Sequence, residues 1–307
     1  MRIAYFCTSG SMSLLPLLRL AEGREIVAVV RPAPGQSRNR ARAAAVARRL
    51  GLRRGDEIEG WARKHRVPSL RMTSAHDPKI VSSLRRLAPD LICISTFRWI
   101  LRPGILAVPR LGAINLHSSL LPRHRGPIPL FWIYFHDDRE TGVTVHRATE
   151  RADGGEILAQ EAFPLPRGFP VEQLNEENAR RGSVLLARAA DAVARGEARP
   201  ERQDEARATS APFFPPNAAM VDFAEWSAER VWHFLSGLYP RYLEPLLDEA
   251  GQRVRYHGVE GMEPGEARVA AGTVVREGDG WVVQCRDGIV RLAGPRNAGR
   301  LPGETVQ

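Results

Sequence analysis

Ala113-Ile-Asn-Leu-His-Ser-Ser-Leu-Leu-Pro-Arg-His-Arg-Gly-Pro-Ile-Pro129 is an apolar run that gives way to a proline- and glycine-containing loop, with Asn115 and His117 at the changeover. If Ala113 to His117 ends a strand, successive side chains alternate between faces, so Asn115 and His117 point the same way. An amide that donates and an imidazole that exchanges a proton suit chemistry in which negative charge develops on a carbonyl oxygen. The alternative is ordinary structure, with the Asn closing a turn and the His satisfied by backbone. A carboxylate follows at Asp153, in Glu150-Arg-Ala-Asp-Gly-Gly155, where two glycines let the backbone turn tightly and approach a ligand. Asn115, His117 and Asp153 are the candidate catalytic residues for acyl transfer.

Outward from that stretch, strand and helix patterns alternate. Arg2 to Cys7 and Glu25 to Val30 are short β-branched runs separated by a helical pattern from Met12 to Leu20. Trp61 to Arg66 and Pro78 to Leu87 read as helices, and Asp90 to Ser95 reads as a buried strand. This alternation predicts an α/β sheet wound in the Rossmann manner, with ligands at the carboxyl ends of the strands, where Asn115 and His117 would lie. Thr141 to His146 and Glu156 to Phe163 are further strands flanking the Asp153 loop. His136-Asp137-Asp138 is the polar end of a helix that begins near Pro129. Val171 to Arg195 is a long helix with Leu174, Val184, Leu185, Ala189 and Val193 at helical spacing.

From Ala198 to Asn217 charge mixes with Pro200, Pro212, Pro215 and Pro216, which reads as a linker. Beyond it, Asp222 to Leu235 is a helix in which Trp226 and Trp232 are core anchors. Gly272 to Val275, Gly280 to Cys285 and Asp287 to Leu292 are three strands with turn residues between them. The expected division is a catalytic domain over 1–199, a linker over 200–217 and a helix-plus-strand domain over 218–307.

The chain has 307 residues, 43% of them hydrophobic, enough for one large domain and a smaller one. No apolar run is long enough to span a bilayer, and the N-terminus enters a strand pattern directly, so the expected location is cytoplasmic. Cys7, Cys93 and Cys285 are odd in number, far apart and set among apolar residues, as buried free thiols in a reducing compartment would be. No Gly-x-Gly-x-x-Gly follows the first strand, which argues against a nicotinamide enzyme. Neither His-Glu-x-x-His nor Cys-x-x-Cys occurs, so zinc has no evident ligands and no metal is expected. The net charge of +9 admits a nucleic-acid partner, but only Lys64 and Lys79 are lysines, a bias that codon composition alone can produce. The densest cluster, Arg38, Arg40, Arg42, Arg48, Arg49, Arg53 and Arg54, reads as a helix whose charged face either meets solvent or tracks phosphate.

Leu120-Leu-Pro-Arg123, Arg125-Gly-Pro127, Glu140-Thr-Gly-Val-Thr-Val-His146 and Asp153-Gly-Gly155 together resemble the formyltransferase family that uses 10-formyltetrahydrofolate. That family includes methionyl-tRNA formyltransferase, nucleotide-sugar N-formyltransferases and glycinamide ribonucleotide formyltransferase. The resemblance is closest from Pro89 to Gln160. It implies a Rossmann-like formyltransferase domain with a smaller C-terminal, OB-like β-barrel, 10-formyltetrahydrofolate as co-substrate, and catalysis by Asn115, His117 and Asp153. It also implies a folate pocket lined by Arg98, Trp99, Ile100 and Leu101, with Thr149 and Glu150 on its other side. Plain core packing is the competing account of Trp99 and Ile100. Arg123 and Arg125 would meet an anionic group of the acceptor, or else be solvated loop charges.

The acceptor is the open choice. Methionyl-tRNA formyltransferases usually carry Arg-Gly-Ala-Ala-Pro after the catalytic loop and Gly-Leu-Asp-Thr-Gly around the aspartate, where this chain has Arg125-Gly-Pro-Ile-Pro129 and Arg151-Ala-Asp-Gly-Gly155. The favoured expectation is therefore a small amine, an amino-sugar nucleotide or amino-acid-like precursor, with methionyl-tRNA as the alternative. A formyltetrahydrofolate hydrolase and a non-catalytic RNA-binding protein are the rivals. The first lacks such a C-terminal domain, and the second has no need of the three catalytic residues.

Overall fold

The computed structural model describes residues 1–33, 56–215 and 217–294; the arginine-rich segment 38–54 lies outside them. Strand β1 (Arg2–Cys7) is buried on both faces after its first residue, as a strand with parallel neighbours on each side must be. Its side chains divide by parity. Ile3, Tyr5 and Cys7 join one core with Leu17, Leu20 and Leu116, while Ala4 and Phe6 join the other with Ile80, Leu84 and Ile92.

Helix α1 (Ser11–Ala21), β2 (Glu25–Pro32), α2 (Glu57–Lys64), β3 (Ser69–Met72), α3 (Pro78–Leu87), β4 (Leu91–Ser95), the short α4 (Pro103–Leu106) and β5 (Ala113–His117) follow. After them come α5 (Pro129–Phe135), β6 (Glu140–Arg147), β7 (Ile157–Pro164) and α6 (Val171–Arg195). The seven strands form one sheet in the order β3-β2-β1-β4-β5-β6-β7, parallel from β3 through β5, with β6 antiparallel to β5. The chain winds outward from β1 in one direction and then from β4 in the other. The switch point falls between the carboxyl ends of these strands, where the hydroxyls of Thr8 and Thr96 are 2.8 Å apart.

Several helical expectations shift; the helix expected over Asp222–Leu235, for example, runs from Ala228 to Leu238. The helix expected over Trp61–Arg66 starts earlier, because the Asp56 side chain accepts from Glu59 N–H and caps it. It ends before Arg66, whose φ of 57° is left-handed. On α6, Leu174, Leu185, Ala189 and Val193 are buried, but Val184 is 39% exposed, so the apolar stripe runs through Leu185 and Leu186 instead. The helix expected near Pro129 ends at Phe135, and Asp137 turns the chain with φ 58°.

The chain divides into two compact units. The first comprises Met1–Pro129, Thr141–Phe163 and Asn175–Pro212; the second comprises Leu130–Glu140, Pro164–Leu174 and the chain from Phe213 onward. The stretch 200–212, expected as a linker, runs along the first unit: Glu201 bridges Ile157 and Ser210 bridges Arg125.

The second unit contains helix α7 (Ala228–Leu238), capped by Ser227, and a four-stranded antiparallel sheet. Its strands are β8 (Gly258–Pro264), β9 (Val274–Glu277), β10 (Gly280–Cys285) and β11 (Gly288–Ala293), in the order β8-β11-β10-β9. Three of these strands match expectation. The fourth, β8, has only partly buried and exposed residues and so lacks the apolar alternation that marks a strand. Trp226 is buried among Phe135 and Phe234, and Phe131 packs on Phe214, Phe234 and Tyr242. Cys7, Cys93 and Cys285 are free and buried, and burial pushes the Cys7 and Cys285 thiols up to about 12. Among the described residues no helix is long and apolar enough to cross a membrane.

Candidate active site

Strand β5 ends beside the carboxyl end of β4, with Leu116 paired to Ser95, and its other neighbour β6 runs antiparallel. In that register Asn115 lies opposite His146 and His117 opposite Thr144, which places all four side chains on one face. The Asn115 amide nitrogen is 3.0 Å from His146 Nε2 and 3.3 Å from Asp153 Oδ1. His146 Nδ1 is 2.8 Å from the carbonyl oxygen of Arg147. A carbonyl only accepts, so Nδ1 carries the hydrogen and Nε2 accepts from Asn115.

His117 follows the same logic. Its Nε2 lies 2.9 Å from the His124 carbonyl oxygen and therefore donates, which leaves Nδ1 as the basic atom, 3.6 Å from Asp153 Oδ2. Burial is the largest influence on this imidazole and holds its pKa below the ordinary 6.5, although the Asp153 charge opposes it. Asp153 shows the opposite balance. Burial works against its charge, but the neighbouring imidazoles of His117 and His146, when protonated, and the Gly126 N–H at 2.9 Å from Oδ2 together hold the carboxyl well below the usual range. Near neutral pH the pair is a carboxylate beside a neutral imidazole whose free lone pair faces it.

The Asp153 loop departs from expectation in one respect. The left-handed conformation falls on Asp153 itself, φ 47°, and not on either glycine. Gly155 serves a close approach to protein instead of to a ligand: a Cβ there would lie 1.9 Å from the Arg147 carbonyl oxygen.

Asn115, His117 and Asp153 thus come together, joined by His146, whose side chain the sequence reading leaves unassigned. Its signal was a parity match: Thr144 and His146 are two apart on a strand, as Asn115 and His117 are. The six residues expected around a folate divide. Leu101 is buried, Trp99 is half-buried with the Arg98 guanidinium 5.0 Å above its ring, and Ile100 is 44% exposed. Thr149 exchanges hydrogen bonds with the Arg151 backbone, and Glu150 lies 3.7 Å from Arg102, so the loops after β4 and β6 meet.

Of the two arginines expected at the acceptor, Arg125 is committed within the protein. Its guanidinium donates to Gln203 Oε1 at 2.9 and 2.7 Å and to Glu205 at 2.9 and 3.0 Å. The bond from Arg125, reinforced by Arg151, brings the Glu205 carboxyl down to about 2. Arg123 accepts at its carbonyl from Ser119 and is half-buried.

Residues 1–190 match the family model described as formyl transferase. The chain is 32% identical over 300 residues to the methionyl-tRNA formyltransferase of Roseiflexus sp. (strain RS-1), covering 97% of this chain and 88% of that one. It is 34% identical over 303 residues to the methionyl-tRNA formyltransferase of Anaeromyxobacter dehalogenans (strain 2CP-C), covering 95% and 90%. Among solved structures, an N-formyltransferase from Helicobacter canadensis in complex with folinic acid and dTDP-3-aminofucose superposes with a TM-score of 0.68 at 13% identity, over 96% of this chain and 99% of that one. HypX from Aquifex aeolicus in complex with tetrahydrofolic acid superposes with a TM-score of 0.62 at 18% identity, over 95% of this chain and 43% of that one. At these identities the superpositions speak to the fold.

Proposed function

The chain belongs to the formyl transferase family, and from that membership we propose that it carries the formyl group of 10-formyltetrahydrofolate to the α-amino group of methionyl-tRNA. That it is a 10-formyltetrahydrofolate-dependent N-formyltransferase follows from the family; the acceptor is the further step. The observation that carries the acceptor is coverage: similarity to methionyl-tRNA formyltransferases extends over 97% of this chain, through the second unit as well as the first. The small-amine expectation lacks support of that kind.

The reaction uses the site in three roles. The neutral amine attacks the formyl carbon, and negative charge gathers on the carbonyl oxygen. The Asn115 amide is the donor for that charge once one of its two N–H groups, which lie on His146 and Asp153 in this structure, turns to the oxygen, and removing one such donor costs about a hundredfold to a thousandfold in rate. The attacking nitrogen must shed a proton, and His117 Nδ1 receives it. Asp153, a fixed carboxylate beside that nitrogen, stabilises the imidazolium as it forms. As the tetrahedral carbon collapses, the C–N10 bond breaks and the proton passes to N10. Tetrahydrofolate leaves and the acceptor keeps the formyl group.

One observation favours a second reading, a small anionic amine as acceptor. Arg151-Ala-Asp153 differs from the Gly-Leu-Asp usual in tRNA enzymes, and Arg125 is bound to Gln203 and Glu205. The deciding experiment measures transfer from 10-formyltetrahydrofolate, labelled in the formyl carbon, to methionyl-tRNA, to amino-sugar nucleotides and to water. Labelled methionyl-tRNA supports the proposal. Transfer confined to a small amine replaces the acceptor, and release of formate alone makes the protein a hydrolase.

A further inference from the structure

Residues 200–212 do not merely pass the active site. Thr209 N–H donates to Pro122 O at 3.3 Å, Arg125 N–H to Thr209 O at 2.9 Å, Ala211 N–H to Arg125 O at 2.6 Å and Ile128 N–H to Ala211 O at 3.3 Å. The Thr209 hydroxyl accepts from His124 N–H at 2.8 Å, beside the carbonyl that holds His117. A Cβ on Gly126, φ 130°, would sit 2.7 Å from Ala211 O, so the strap and the catalytic loop lie backbone to backbone.

Two strap side chains reach the carboxylate loop: Glu205 pairs with the Arg151 side chain, and Gln203 bonds the loop's backbone. The Gln203 Nε2 donates to Asp153 O and Gly155 O, both at 2.7 Å, while its Oε1 accepts twice from Arg125. All of the amide's strong hydrogen-bonding directions are used, and they tie Arg125, on one wall of the site, to the backbone of Asp153 on the other. The loop needs such a tie, because Asp153 holds a left-handed φ without being glycine.

We propose that Gln203 is a positioning residue for formyl transfer: it fixes the Asp153 backbone so that Oδ2 accepts from Gly126 N–H while facing His117 Nδ1. The inference rests on Asp153 being the carboxylate partner of His117 in the reaction. Gln203 bonds the Asp153 carbonyl and not its carboxylate, so its proposed action runs through the placement of Asp153.

The test uses the full chain with Gln203→Glu, Gln203→Ala and, in parallel, Asp153→Asn. Gln203→Glu keeps the acceptor for Arg125 but sets carboxylate oxygens against two carbonyl oxygens, so it breaks the tie to Asp153 with almost no change in volume. One readout is the titration of the His117 imidazole by nitrogen NMR, which needs no acceptor. Asp153, His146 and His124 are the titratable groups around it. Because the Asp153 charge raises the His117 pKa, Gln203→Ala should lower it toward the value in Asp153→Asn; the carboxylate added in Gln203→Glu works in the opposite sense, so that variant is read by transfer. The other readout is transfer to methionyl-tRNA, where kcat should fall by up to about a hundredfold while KM for 10-formyltetrahydrofolate holds. A His117 titration in Gln203→Ala identical to the parent, while Asp153→Asn moves it, overturns the inference and leaves the role of Asp153 intact. An Asp153→Asn protein with parent titration and parent transfer overturns both.

Discussion

The tautomer of His117 is set by a carbonyl, and in the proposed reaction that sets the direction of proton flow. With Nε2–H held by His124 O, only Nδ1 is free to accept, and the carboxylate beside it makes the protonated state tolerable in a buried site. Activity should therefore require neutral His117. Since its pKa lies below 6.5 in the folded protein, kcat/KM should be flat at neutral pH and fall only as pH drops through that lowered value. Asp153→Asn removes the one charge that raises the pKa, so its acid limb should move to still lower pH even as the plateau drops. A pH–rate profile of both proteins checks the sign, and a limb that moves upward contradicts the assignment. Gly155→Ala should also fail at this scale. Its Cβ meets the backbone of Arg147, which cannot swing aside, so a loss of about 1–3 kcal/mol in stability and a displaced Asp153 loop are expected in denaturant melts and transfer assays. That Asn115 and His117 share a face and that the chain turns at Asp153 show in the local sequence, because strand parity and a turn are local properties. His146 shows there only as a parity match, because its place opposite Asn115 depends on the register between β5 and β6, which no local pattern specifies.

At the level of elements, parity and helical spacing located most strands and helices, and the exceptions have physical causes. Val184 fits an apolar repeat as well as Leu186 does, but only packing decides which side of a long helix meets the sheet. Leu185→Ala should cost about 2–5 kcal/mol, whereas Val184→Lys should stay within about 0.5 kcal/mol; urea melts of the two variants compare them directly. The 200–212 strap read as a linker because proline and mixed charge mark chain without a core of its own. Its bonds to 122–128 are backbone bonds, which composition does not encode. Thr209→Val tests the strap: it leaves the His124 N–H without its acceptor, at a cost of about 1–3 kcal/mol, and it should reduce transfer more than folate binding. Parent-like stability and rate in this variant would mean that the strap only lies against the loop.

Over the whole molecule, the strand order positions the chemistry. Strands β1 and β4 carry the switch point, β5 brings Asn115 and His117 to its edge, and the turn from antiparallel pairing at β6 returns the chain with His146 and then Asp153. The family is legible in the sequence because these features leave several motifs in a fixed order. The acceptor is not, because it depends on surfaces outside that motif set. The central claim is therefore tested most directly by one assay: labelled 10-formyltetrahydrofolate with methionyl-tRNA, for the parent chain and for His117→Ala. The account predicts formyl-methionyl-tRNA from the parent and a loss of at least about a hundredfold in the variant. Equal rates in the two proteins, or no transfer to any amine by the parent, would contradict it.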